Sequence, residues 1–293
     1  MDAYLTSIGI VVLIYALLAI GLNLQYGETG LINFGHVAFF AVGAYTSALL
    51  SLKGLPFWVT FPAAAAVAGL AAIPLGMAAL RLREDYLAIV TLGFSETVRL
   101  VIQQEEWLTR GVQGLPGIPA FFASADTGLR NLLQLGLLAC VVAAAIVAVK
   151  LLQKSPFGRL LRAIRDNEPA VTAIGKDPAG YKIRVFMVGA ALAGIAGAFY
   201  AHFITFITPE QFISLVTFYV WMSIILGGVG SMRGALLGTL VLVFFLEGSR
   251  FLRDLMPSIG EAQMAHIRLG VIGLALILCM LYRPQGFFGK RGT

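Results

Sequence analysis

The chain is predicted to be an all-α polytopic membrane protein, and three observations predict it. Of its 293 residues, 59% are hydrophobic and only 12% are charged, with a mean hydropathy of +0.87, too little polar surface to cover a soluble globule. The apolar residues fall in runs near the length that crosses a bilayer as a helix, rather than in the short alternating segments of a barrel. The 21 Lys and Arg sit mostly in the connections between those runs. The net charge of +6 is therefore a mark of topology and not of a nucleic-acid partner.

Candidate spans are 8–26, 36–52, 57–80, 86–102, 131–150, 184–207, 212–229, 235–250 and 265–282. That makes about nine (8–10), in one transmembrane domain covering 1–293. The first run lacks a basic leader region and a small-residue cleavage site, so it is expected to remain as a span. Connections 81–85, 150–184, 231–233 and 283–293 hold most of the Lys and Arg, which places them and the C-terminus in the cytoplasm and the N-terminus outside.

Between the first two spans, Gly27, Gly30 and Gly35 interrupt a fairly apolar segment, and a second glycine group, Gly227, Gly228, Gly230, Gly234 and Gly238, interrupts the other half. Irregular backbone at membrane depth survives only inside protein or along a cavity, so these are candidate broken or re-entrant segments; a plain interfacial turn is the alternative for 27–36. The small-residue run Gly189, Ala190, Ala193, Gly194 and Gly197 permits close helix approach. In the fourth span Glu96 lies about 15 Å from the helix start at 1.5 Å per residue, with Arg99 one turn on as a partner. A buried ion pair that locks helices is the more ordinary role, and contact with cargo the sharper one. The candidate solute path is Asn33, His36, Tyr45, Thr91, Glu96, Gly227 and Gly228. His36 and His202 fall near span ends and neither has the company of a metal ligand; Cys140 and Cys279 lie inside apolar runs as packing residues.

The polar block 150–184 divides the chain. Ser155-Pro156 forms a helix start, after which Phe157, Leu160, Leu161 and Ile164 make one apolar stripe with Arg159, Arg162 and Arg165 off it. Asn167 is a second cap, ahead of Glu168-Pro169, and Gly175 a helix stop, so two short helices and a bend are expected. The longest connection on the other side, 103–130, is rich in Gly, Pro and aromatic residues and suits an interfacial platform. No G-x-x-x-x-G-K-[ST], H-E-x-x-H or G-x-S-x-G occurs, which speaks against ATP binding by that loop, and against an enzyme.

Several stretches carry a resemblance. Gly21-Leu22-Asn23-Leu24, the run from Gly30 to Tyr45, Leu80 to Leu92 with Glu96 and Arg99, Ser155 to Arg159, Arg162 to Glu168, Ala193 to Ala198, and Arg283 to Gly289 together resemble permeases of the branched-chain amino acid ABC importer family, LivM-type. The resemblance implies a type II ABC importer permease-like bundle in the bacterial cytoplasmic (inner) membrane. It implies as partners a second, LivH-like permease, two cytoplasmic ABC ATPase subunits that bind the ATP, and a periplasmic solute-binding protein, with no cofactor in this chain. It also implies that 150–184 is the coupling segment: Phe157, Leu160 and Ile164 as groove anchors, Arg159, Arg162 and Arg165 for an acidic rim, and Asp166, Glu168 and Gly175 completing the docking loop. Glu168-Pro169-Ala170 is similar to the E-A-A loop of such permeases, with proline for its central alanine and the glycine one residue late. The cargo is expected to be a branched-chain or similar amino acid; urea or short amides on the same machine, and a proton-coupled carrier using Glu96, are the alternatives.

Overall fold

The first apolar run forms α1 (Asp2–Thr29), whose middle, Leu17 to Leu22, is almost wholly removed from the surface. It stops where Gly30 turns to φ +73°, a conformation that glycine takes without steric cost. Irregular backbone then leads to α2 (His36–Leu52), followed by α3 (Phe57–Ala79), α4 (Glu84–Gln104), the single turn α5 (Glu106–Thr109) and a two-residue strand β1 (Leu115–Pro116). Next come α6 (Thr127–Lys154), α7 (Pro156–Asp166), α8 (Glu168–Ala173), α9 (Pro178–Ile204), β2 (Phe206–Ile207), α10 (Ser214–Gly227) and α11 (Met232–Leu255). This computed structural model describes residues 2–79, 82, 84–122 and 126–255, with positions 270–271, 273–274, 277–278, 281–282 and 286.

Among the described residues six stretches are long and apolar enough to cross a membrane: Tyr4–Thr29, Phe57–Ala78, Tyr86–Gln104, Gly128–Lys154, Pro178–Ile204 and Pro209–Gly227. His36–Leu52 is a shorter apolar helix. The expected span 235–250 is the middle of α11, while 265–282 falls largely outside the described residues, as do Cys279 and most of the Arg81–Arg83 and Arg283–Gly289 stretches.

The bundle is built around α9, which packs on α1, α2 and α3. The small-residue run brings backbones together there: a Cβ on Gly194 would lie 2.7 Å from the Ala64 carbonyl oxygen of α3, and Gly43 of α2 rests on Gly194 itself. Cys140 departs from its expected packing role, since it lies exposed on α6, the helix whose other face meets α1.

At one end of the bundle, the hairpin end, β1 pairs antiparallel with β2 in the register Leu115↔Ile207 and Pro116↔Phe206. His202 fastens this end. Its Nδ1 donates to the Pro119 carbonyl at 2.7 Å, which fixes Nε2 as the acceptor for Ser47 Oγ at 2.9 Å, and its ring lies 4.7 Å from that of Phe121. The described part of the long connection expected as a platform is thus tied to the end of α9 through Pro119 and Ile118, with Phe121 packed on Phe57 and Phe61 of α3. The opposite end carries α7 and α8 and is called the elbow end below.

Candidate functional site

The break after α1 is organised by Asn33, which is 0% exposed. Its side chain donates to Gln25 Oε1 at 2.9 Å and accepts from the Gly35 amide at 2.9 Å, while its carbonyl accepts from Trp221 Nε1 at 2.9 Å. Gln25 in turn donates to the Phe186 carbonyl at 3.0 Å, tying α1 to α9. The Phe34 amide finds Thr91 Oγ1 at 2.9 Å in α4, and the Val37 amide finds Thr217 Oγ1 at 2.9 Å in α10. Every one of these partners removes a backbone or amide group from a setting where, unpaired, it would be costly. Tyr26 and Phe34 close over the Trp221 ring at 4.8 and 5.3 Å. The segment is a densely paired turn packed against α1, α4, α9 and α10.

The second glycine group meets the first. The Gly230 amide donates to Asn23 Oδ1 at 2.9 Å, and a Cβ on Gly27 would lie 2.8 Å from Gly230 Cα. Gly227 and Gly234 abut across the α10–α11 turn, and Gly286 rests against Gly228. Both breaks of the sequence therefore converge on the last turns of α1.

Of the seven path candidates, Asn33, His36, Tyr45, Thr91, Gly227 and Gly228 are buried inside the chain. Glu96 differs. Its Oε2 accepts from Arg99 Nε at 2.8 Å and its Oε1 from Ser214 Oγ at 2.7 Å, yet its side chain is 40% exposed on the surface of the bundle. Thr97 and Gly93 continue that open face of α4.

In the elbow, local chemistry produces the two expected helices. Ser155 Oγ accepts from the Gly158 amide at 3.3 Å to cap α7, Asn167 Oδ1 accepts from the Ala170 amide at 3.0 Å to cap α8, and Gly175 takes φ +77° after the last turn. Lys182 Nζ donates to Glu168 Oε2 at 2.6 Å, bracing α8 on α9. The apolar stripe of α7 is directed into its own chain: Leu161 and Ile164 are buried, Leu160 is half-buried, and Phe157 stacks on Tyr181 with ring centroids 5.3 Å apart. Arg162 and Arg165 also turn inward, to Glu28 and to the Gly27 carbonyl, at 3.0 and 2.6 Å. What the elbow presents outward includes Arg159, Ala163, Asp166, Ala170, Ala173 and Ile174, the last an aliphatic side chain 72% exposed, and the side chains of Arg162 and Arg165 stay 40% and 41% exposed beside them.

Three residues that stand out in the structure, two by their hydrogen bonds and Ile174 by its exposure, carried different signals in the sequence. Glu28 carried a signal, a lone carboxylate ending a long apolar run; Ile174 carried one too, an aliphatic residue in a polar block; Trp221 had none, being one more aromatic in an apolar span.

A polytopic helical bundle with paired glycine breaks and a basic elbow outside its spans defines the class as a multi-pass helical membrane protein. Residues 4–280 match the profile of the family described as branched-chain amino acid transport system / permease component, and the chain belongs to that family. It is 34% identical to the high-affinity branched-chain amino acid transport system permease protein LivM of Escherichia coli (strain K12), over 96% of this chain and 69% of that one. It is 26% identical to the probable LivM of Methanocaldococcus jannaschii, over 95% of this chain and 91% of that one, and 24% identical to LivH of Escherichia coli, over 94% and 91%. No solved structure matches the chain.

Proposed function

We propose that this chain is the permease subunit of an ATP-driven importer that takes branched-chain or similarly small apolar amino acids from a periplasmic solute-binding protein into the cytoplasm. The observation that carries the proposal is the family match over 4–280 together with the 34% identity to a LivM. In this proposal the chain crosses a bacterial inner membrane about nine times, with α2, α11 and 265–282 completing the six longer spans. The elbow and C-terminus lie in the cytoplasm, one of two ATPase subunits docks on the outward face of α7 and α8, and a LivH-like permease over the other is the second half of the gate. Ile174 then replaces the inward-turned Ile164 as the aliphatic anchor, with the exposed Arg159 and Asp166 on the same elbow.

Solute passes along the open face of α4 that carries Glu96 and Thr97, because the glycine-broken segment is sealed inside this chain and offers no passage. A half-exposed ion pair in a span is too costly to leave against lipid, which supports covering that face by a second permease and water. The proton-carrier alternative draws nothing from the geometry, since both oxygens of Glu96 are already engaged by Arg99 and Ser214.

The test is reconstitution in liposomes with the ATPase, second permease and binding-protein partners, measuring ATP-dependent uptake of labelled leucine with isoleucine, valine and urea as competitors. Leucine accumulation competed by isoleucine and valine is expected. An intact complex that accumulates none, or that urea competes best, overturns the assignment.

A further inference from the structure

The elbow is fastened to α1, and the fastening is polar. Glu28 is 5% exposed, and its two oxygens take separate donors: Arg162 Nη1 at 3.0 Å on Oε2 and Gln153 Nε2 at 3.0 Å on Oε1. The same Arg162 nitrogen donates to the Gln153 carbonyl at 3.1 Å, closing a ring through α1, α6 and α7. One turn on, Arg165 Nη1 donates to the Gly27 carbonyl at 2.6 Å. Two guanidinium groups thus meet the carbonyl end of α1, where the helix dipole favours cations.

The position of this ring gives it its interest. Glu28 sits two residues before Gly30, where α1 breaks on its way to Asn33, and one residue after Gly27, which lies against Gly230 of the α10–α11 turn. The elbow, the first break and the second break all touch one helical turn. An apolar contact alone can slide, whereas a buried carboxylate cannot part from its guanidinium without being left uncompensated. The end of α1 therefore has to follow α7, and the rotation is absorbed next door, where Gly30, Gly228 and Gly230 hold positive φ.

We propose that Glu28 is a positioning residue that carries displacement of the elbow into the two glycine breaks of the bundle. The inference rests on the importer function proposed above. The experiment compares wild type, Glu28→Gln, Arg162→Glu and the charge swap Glu28→Arg with Arg162→Glu, each in the reconstituted complex, reading solute moved per ATP hydrolysed. Glu28→Gln keeps the shape and removes the charge, so its ratio is expected to fall about tenfold, with Arg162→Glu lower still. The swap is expected to recover to within about threefold of wild type, as coupled partners do in a double-mutant cycle. Glu28→Gln and Arg162→Glu complexes that transport at the wild-type ratio overturn the inference alone, as does a loss of transport and hydrolysis in parallel with a lowered Tm, which marks a purely structural pair. A wild-type complex without ATP-driven uptake overturns the importer function, and the inference with it.

Discussion

Gly197→Ala tests the close crossing of α9 and α2. A Cβ at this position in α9 would stand 2.7 Å from the Ala44 amide nitrogen of α2 and also collide with the Phe40 carbonyl oxygen, where ordinary contact begins at 3.4 Å. The neighbour is backbone, so no side chain can swing away, and α2 and α9 have to part by about 0.7 Å or more, forfeiting part of each dispersion contact along the seam. That seam includes the Gly43–Gly194 contact, which opens with it. Overpacking of this kind costs about 1–3 kcal/mol. At roughly 2–4 °C per kcal/mol for a chain of this size, a cost near 2 kcal/mol lowers Tm by about 4–8 °C. The assay is thermal unfolding of the detergent-solubilised protein, followed by size-exclusion of the surviving monodisperse fraction. Gly136→Ala in α6 is the control, because open space surrounds that position and the substitution gains about 1 kcal/mol of helix propensity. If Gly197→Ala melts within about 1 °C of Gly136→Ala, the direct backbone crossing of α2 and α9 is wrong.

Two further substitutions probe the first break and the hairpin end. Trp221→Phe removes the donor to the Asn33 carbonyl, leaving a fully buried acceptor unpaired at a cost of about 1–3 kcal/mol, and amide exchange over residues 30–36 is expected to accelerate; unchanged exchange there means that Trp221 does not hold the break. His202→Phe loses both the Pro119 and Ser47 hydrogen bonds at a cost of about 1–2 kcal/mol, so protection of the Ile118 amide, which donates to the Thr205 carbonyl at 3.1 Å, is expected to fall while α1 stays protected. Equal protection at Ile118 in variant and wild type refutes the role given to His202.

The elements that depend on near neighbours were legible in the sequence. Ser155, Asn167 and Gly175 act within a few residues of themselves, so the two elbow helices and the bend between them follow from composition and spacing alone. The small-residue run of α9 was legible for a related reason: in a membrane few other uses exist for five Gly and Ala residues on one helix. The direction in which the apolar stripe of α7 faces was not. An amphipathic helix states that one side is covered but not by what, and Ile164 is covered by its own chain.

The same limit explains the path candidates. Asn33 and Trp221 lie 188 residues apart, and no local pattern tells an asparagine that lines a channel from one that closes a broken helix end. Both need a polar residue at membrane depth beside glycine. What separates them is whether the backbone groups freed by the break are already paired. Here the Phe34, Gly35 and Val37 amides each have a side-chain acceptor, from Thr91, Asn33 and Thr217, so these backbone groups are paired from within, and the polar atoms left over there are the His36 ring nitrogens and Asn23 Nδ2, all buried. Such a break serves better as a joint than as a binding site, since its pairing partners come from α1, α4 and α10 and shift together when any one of them moves. The carboxylate at the end of α1 sits beside that joint, which is why a charge with no obvious use in the sequence gains one in the fold.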